Sequence, residues 1–229
     1  MNKKIRFVTV FALLAALCPL FGQAQEIQTA ENYFDGVSDR YSKIQDYTAG
    51  IVISREETVM RGELNYKQPN MLRIDFQEPE EQVLVTDGEL LTIYIPKYEV
   101  IMEQKLKRKS QAGMAGLASE EGLTILKKNY GVAFLTGPGA VPLEEGSEEM
   151  VVQLKLTSRS TAEGFRQIII SVGGNGLIRR ITGVTLGYEE LNFDFLDIKV
   201  NQNIPDTRFQ YDSPPYANVY QNFLYDTDE

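Results

Sequence analysis

From Thr29 to Ile44 the apolar residues Ala30, Phe34, Val37, Tyr41 and Ile44 recur at spacings of four, three, four and three. That is one stripe of an amphipathic helix, with Thr29 placed to cap its N-terminus. At Tyr47 the period changes to two. Tyr47, Ala49, Ile51 and Ile53 alternate with Thr48, Gly50, Val52 and Ser54. Met60, Gly62, Leu64 and Tyr66 do the same, followed by Leu72, Ile74 and Phe76. Val83 to Val85, Leu91 to Tyr94 and Tyr98 to Met102 continue the series. Gln68-Pro69-Asn70, Glu78-Pro79, Asp87-Gly88 and Ile95-Pro96 separate the runs and supply turn chemistry. The pattern predicts an antiparallel meander with one apolar face and one wet face.

The alternation stops at Lys105. A polar, basic stretch to Ser110 precedes a small, apolar one from Gln111 to Ala118 that contains Met114 and Leu117. Glu120 to Tyr130 is predicted helical, and Gly137-Pro138-Gly139 with the acidic run Glu144 to Glu149 is predicted to be an exposed loop. Strands resume at Val151–Leu156, Phe165–Val172, Leu177–Tyr188 and Leu191–Val200. In the last of these the apolar phase slips by one between Phe195 and Leu196, the mark of a β-bulge or a change of facing partner. About eleven strands and two helical segments, with no internal repeat, predict a single α+β domain. A sheet that long must curl or close.

Composition changes this picture mainly at the N-terminus. Lys3, Lys4 and Arg6 precede an apolar run from Phe7 to Phe21, and Gly22-Gln23-Ala24 carries small residues at the positions a signal peptidase reads. Residues 1–24 are expected to be a cleaved export signal, leaving residues 25–229 as the working domain. Cys18 lies within that segment between Leu17 and Pro19, a context unsuited to lipidation. Removing 1–24 also removes those three basic residues and shifts the net charge from −9 to −12. So acidic a chain lacks the basic face that nucleic acid requires. It also has no mature cysteine for a disulfide, so packing alone must stabilise it.

The chain has no His, which excludes a Ser-His-Asp triad and any imidazole acid–base or metal chemistry. Asp75, Asp87, Asp194 and Asp197 are the carboxylates to weigh as a hydrolytic pair, but Asp75 and Asp87 are expected to be solvated. The acidic groups at Glu144–Glu149 and Asp226–Glu229 lack the spacing of a calcium loop and read as solvating charge. No metal and no cofactor is expected. Gly173-Gly174-Asn175-Gly176 joins two strands without a following helix, so it reads as a hairpin turn rather than a phosphate loop. Lys105, Lys107, Arg108 and Lys109 are the one basic cluster of the mature chain. What remains is the apolar face: Leu64, Tyr66, Leu72, Ile74, Phe76, Leu91 and Ile93 form either the core of a closed structure or the wall of a roofed cavity.

Gly62-Glu63-Leu64, Gln68-Pro69-Asn70, the alternating Leu72-Arg73-Ile74-Asp75-Phe76, Thr86-Asp87-Gly88 and Tyr94-Ile95-Pro96 resemble, in order and spacing, the LolA family of periplasmic lipoprotein carriers. Arg166–Val172, Gly174-Asn175-Gly176 and Phe209-Gln210-Tyr211 with Pro214-Pro215 extend the resemblance towards the C-terminus. It implies an unclosed antiparallel β-barrel with a helical lid and no enzymatic activity. The implied role is to carry the acyl chains of lipoproteins through the periplasm, from an inner-membrane ABC transporter to an outer-membrane receptor, as a monomer. The resemblance places Leu72, Ile74 and Phe76 on the cavity wall, Val37 and Tyr41 on the helix facing it, and Met114 and Leu117 in the lid. Two positions depart from the family pattern. Its lid-tethering arginine is Gln68 here, an amide with fewer donors and no charge. Its tryptophan is Thr92, and the chain has no Trp at all. An outer-membrane receptor or glycolipid carrier of the same fold, and an envelope-stress-sensing interaction protein, remain the alternatives.

Overall fold

A computed structural model describes residues 28–106, 118–160 and 163–223. The expected export signal with Cys18, the lid candidates Met114 and Leu117, most of the basic cluster and the acidic tail lie outside these segments. Helix α1 spans Ala30–Tyr41, and the Thr29 hydroxyl accepts a hydrogen bond from the Asn32 amide at 3.1 Å as its cap. Its stripe of Phe34, Val37 and Tyr41 is buried. Helix α2, Glu120–Asn129, is capped by the Ser119 hydroxyl on the Gly122 amide and buries Leu123 and Leu126.

Thirteen strands follow in chain order: β1 (Asp46–Arg55), β2 (Thr58–Lys67), β3 (Met71–Glu78), β4 (Val83–Thr86), β5 (Leu90–Ile95), β6 (Val100–Lys105), β7 (Tyr130–Phe134), β8 (Val141–Pro142), β9 (Met150–Ser158), β10 (Phe165–Gly173), β11 (Ile178–Thr185), β12 (Glu190–Val200) and β13 (Asn218–Gln221). They form one sheet in the order β13-β6-β5-β4-β3-β2-β1-β12-β11-β10-β9-β7, with β8 on β9. Its ends, β13 and β7, do not pair, so the barrel is unclosed, and every pairing is antiparallel except β13 on β6. The three strands beyond the periodic reading are β7, β8 and β13. The first is masked in the sequence by the helix that runs into it, and the other two are too short to show a period.

The sheet curls so that β1–β3, β9–β12 and both helices share one buried cluster, which includes Phe34, Tyr47, Leu64, Ile74, Leu154, Ile170 and Phe195. The phase slip in β12 is a bulge: Thr48 faces Lys199 but Gly50 faces Leu196, and Asp197 takes a positive φ of 49° in between. A second irregularity sits at Gly62, where a Cβ would lie 2.5 Å from the Asp75 carbonyl oxygen. The Gly173–Gly176 segment is a hairpin turn closed by the Gly176 amide on the Gly173 carbonyl at 2.8 Å.

The expectation of one wet face fails on β4–β6. Val83, Val85, Tyr94 and Ile101 point to the outer side, and there Ile204 and Phe209 bury them in a second cluster. The chain after β12 crosses this outer face as a strap. Asp46 accepts from the Gln202 and Ile204 amides at 2.6 and 3.2 Å, and Lys67 reaches the Ile204 carbonyl and Asp206. Asp75 is therefore not a solvated carboxylate. It is paired with Arg73 at 2.8 Å and with Arg208 of the strap at 2.5 Å. Glu144 and Glu149 are likewise not free solvating charge, because they pair with Arg180 and Arg179.

Candidate functional site

Cross-strand register arranges the concave face into rows. Ala49, Leu64, Ile74, Leu84, Ile93 and Met102 stand opposite one another on the six successive strands β1–β6. A second row, Met60, Ile53, Phe193, Ile181, Ile170, Leu154 and Phe134, runs through β2, β1, β12, β11, β10, β9 and β7. The neighbouring row, Tyr66, Leu72, Thr86, Leu91 and Gln104, carries the polar positions of β4 and β6 on the same face.

Burial along the first row falls off with distance from the helices. Ala49, Leu64 and Ile74 are buried, Leu64 completely, whereas Leu84, Ile93 and Met102 are half-buried. Leu91, Ile93 and Met102 pack into neither buried cluster. Among the described residues, Leu91, Ile93 and Met102 thus form an apolar inner-face patch of β5–β6 outside both clusters, beside the buried Gln104. At the end of the sheet where β6 finishes, an open cleft of about 870 Å³ adjoins it, lined by Pro69, Asn70, Asp87, Gly88, Lys105 and Leu106.

The sequence-derived candidates divide accordingly. Val37, Tyr41, Leu64, Tyr66, Leu72, Ile74 and Phe76 come together in the main cluster beneath α1 and α2. Leu91 and Ile93 lie on the same face, outside both clusters of described residues. Met102, facing Ile93, joins them, while Leu84 packs against the edge of the main cluster. Sequence reasoning missed both, because a short strand's alternation does not say which residue of the next strand lies opposite it.

Polar groups on this face are few and engaged. The Tyr41 hydroxyl accepts from the Ile178 amide at 3.0 Å. Tyr47 donates to the Ala118 carbonyl at 3.0 Å, and Tyr66 reaches the Pro69 carbonyl at 3.0 Å and Glu121 Oε2 at 3.1 Å. Burial pushes all three hydroxyls above the ordinary tyrosine range, and the Glu121 charge pushes Tyr66 further. Gln68 lies beside them, its Nε2 at 3.4 Å from Glu120 Oε2. Thr92, in place of the expected tryptophan, is buried on the opposite, outer side of β5.

The carboxylates weighed for hydrolysis stand apart. Asp75 is held by arginines on the outer face. Asp87 caps its turn by accepting from the Glu89 and Leu90 amides, and Asp194 is clamped by Arg179 and Arg180. Asp197 sits in the β12 bulge. Among the described residues no cluster of three or more acidic groups is arranged to hold a metal ion, and no helix is long and apolar enough to cross a membrane.

Fold and surface together define a class: an unclosed half-barrel with helices over part of an apolar concave face. Comparison with known proteins narrows it. The profile of the outer membrane lipoprotein carrier protein LolA family matches residues 52–212, and the chain belongs to that family. An outer-membrane lipoprotein carrier protein of Pseudomonas aeruginosa is 24% identical over 220 residues, spanning 94% of this chain and 96% of its own. One from Pseudomonas putida is 28% identical over 166 residues, 72% of each chain. Among solved structures, an uncharacterized conserved protein of Thermus thermophilus superposes with a TM-score of 0.53 at 14% identity, over 82% of this chain and 98% of that one. This last likeness concerns the fold.

Proposed function

We propose that this protein is a periplasmic carrier that shelters the acyl chains of lipoproteins against the concave face of its half-barrel. Residues 1–24 direct export and are removed. The mature chain takes its cargo from an inner-membrane ABC transporter and delivers it to an outer-membrane receptor, and it catalyses no reaction. The observation that carries this reading is the first apolar row, which continues past the helices onto Ile93 and Met102 without joining a core. An apolar surface that joins neither core among the described residues is suited to an apolar ligand.

The energetics fit a transient load. A buried methylene contributes about 0.8 kcal/mol, so one long chain fully sheltered would gain roughly 10 kcal/mol gross. The half-buried positions shelter only part of such a chain, which keeps release possible. Met102 adds an adaptable surface of the kind that accepts chains of differing shape. In this reading Val37, Tyr41, Leu64, Tyr66, Leu72, Ile74 and Phe76 join the ligand surface when α2 withdraws, with Met114 and Leu117 on the lid side and Gln68 at its edge.

The test is crosslinking in the native host from a photoreactive residue at Ile93 or Met102, followed by mass spectrometry of the captured species. Acylated lipoproteins are expected from both positions and not from Lys199 on the outer face. Equal capture at Lys199, or none at the inner positions, refutes the carrier reading. Mass spectrometry of the mature N-terminus distinguishes a soluble carrier, beginning at Gln25, from an anchored receptor lipidated at Cys18.

A further inference from the structure

Two neighbouring tyrosines make hydrogen bonds that hold the start of α2 to the sheet. Tyr47 on β1 and Tyr66 on β2 stand opposite each other, with ring centroids 5.2 Å apart. They are 1% and 3% exposed, and a phenol that deep in apolar surroundings requires a hydrogen-bond partner. Both find one at the start of α2: Tyr47 on the Ala118 carbonyl, and Tyr66 on the Glu121 carboxylate. Gln68 reaches the same turn only at 3.4 Å, the long limit of a hydrogen bond.

We propose that Tyr47 and Tyr66 form a hydroxyl latch that holds α2 over the concave face, and that Tyr66 passes its hydrogen bond from helix to sheet when the helix leaves. The inference rests on the carrier reading, which requires the face beneath α2 to open. The Tyr66 hydroxyl meets Glu121 and the Ser119 hydroxyl on the helix side and the Pro69 carbonyl in the β2–β3 turn. If α2 withdraws, Pro69 remains, so Tyr66 stays satisfied. Tyr47 has no such alternative among the described residues, and opening strips its hydroxyl of the Ala118 carbonyl. The latch is therefore asymmetric: Tyr47 opposes opening, while Tyr66 keeps a hydrogen bond in either state. The tie between Lys127 and Asp35 links α2 to α1 and does not involve the sheet.

Hydrogen exchange on the ligand-free mature chain tests the latch without reference to cargo. Tyr47→Phe is expected to speed exchange of the α2 amides roughly three- to tenfold, the span set by the net worth of one hydrogen bond. Tyr66→Phe should speed it less, and the double variant more than either. Amides of β9 and β10 should keep their wild-type rates in each. Tyr94→Phe removes a tyrosine hydroxyl from the outer face, where it meets Tyr216, and should leave α2 unchanged. An α2 rate within twofold of wild type in Tyr47→Phe, or equal acceleration in β9 and β10, overturns the proposal. Titration with a fluorescent triacylated hexapeptide separates the two readings. Faster uptake by Tyr47→Phe supports the latch as a gate. A wild-type protein that fails to bind the peptide while α2 still loosens in the variant refutes the carrier reading and leaves the latch standing.

Discussion

Truncating the same side chain at two positions of one apolar row should give two different phenotypes. Ile74 is 1% exposed and sits between Leu64 and Leu84, under the helices. Replacing it by Ala removes contacts on every side, and such a change costs about 2–5 kcal/mol. For a domain of this size that lowers Tm by roughly 5–15 °C. Ile93 is two strands further along the same row, half-buried and outside both clusters. Ile93→Ala should cost about 1 kcal/mol or less, a few degrees at most. Ile93→Asp places a charge on the path proposed for the acyl chain and should weaken binding of a triacylated lipopeptide by at least about tenfold, since burying an unpaired carboxylate is costly. Thermal melts followed by circular dichroism, paired with fluorescence titration of the lipopeptide, read both quantities. Equal melting losses for the two Ala variants, or undiminished binding by Ile93→Asp, would refute the division of the face into a structural and a ligand-bearing part.

Gly62→Ala would set a methyl 2.5 Å from the Asp75 carbonyl and 3.0 Å from the Phe76 Cα, so the sheet must shift; a loss of about 3 kcal/mol in urea denaturation is expected, and a neutral result would contradict the irregular register there. Asp46→Ala removes the acceptor of the Gln202 and Ile204 amides and should cost about 1.5–3 kcal/mol, with faster proteolysis between 202 and 217 as its signature. The strap remaining as resistant as in wild type would show that it is held elsewhere. Stability should also fall at high pH. Burial, assisted by the Glu163 charge, raises Tyr130 from 10.0 to about 12, and burial raises Tyr41, Tyr47 and Tyr66 further. A raised tyrosine pKa means the folded state holds the proton more tightly, so this stabilisation is complete below pH 10 and is lost as pH climbs through 10 to 12 and beyond. Urea midpoints flat to about pH 9.5 and declining above it are expected; a midpoint unchanged at pH 11.5 would contradict the burial of these hydroxyls.

Much of this architecture is written in local periodicity. The four-three spacing of Phe34, Val37 and Tyr41 and the alternation of Tyr47 to Phe76 depend only on which face of an element is buried, so they survive without knowledge of its neighbours. The phase slip at Leu196 announced a bulge for the same reason, and the order of short motifs from Gly62 to Pro96 pointed to the family. Asp75 shows where such reading stops. Its alternation assigns it to the outer side, but only the return of residues 202–217 across that side brings Arg208 to it and turns a surface position into an ionic clasp.

The candidate site follows the same division. Chain order and hydrophobic period were enough to nominate Leu64, Ile74 and Ile93 as apolar inner-face positions. Which of them join a core, and which join none among the described residues, was decided by the curl of the sheet and the reach of two short helices. These depend on contacts between residues far apart in sequence, such as Tyr47 with Ala118 and Tyr41 with Ile178. Period tells a side chain which way to point. Only the packed chain determines what, if anything, lies there to meet it.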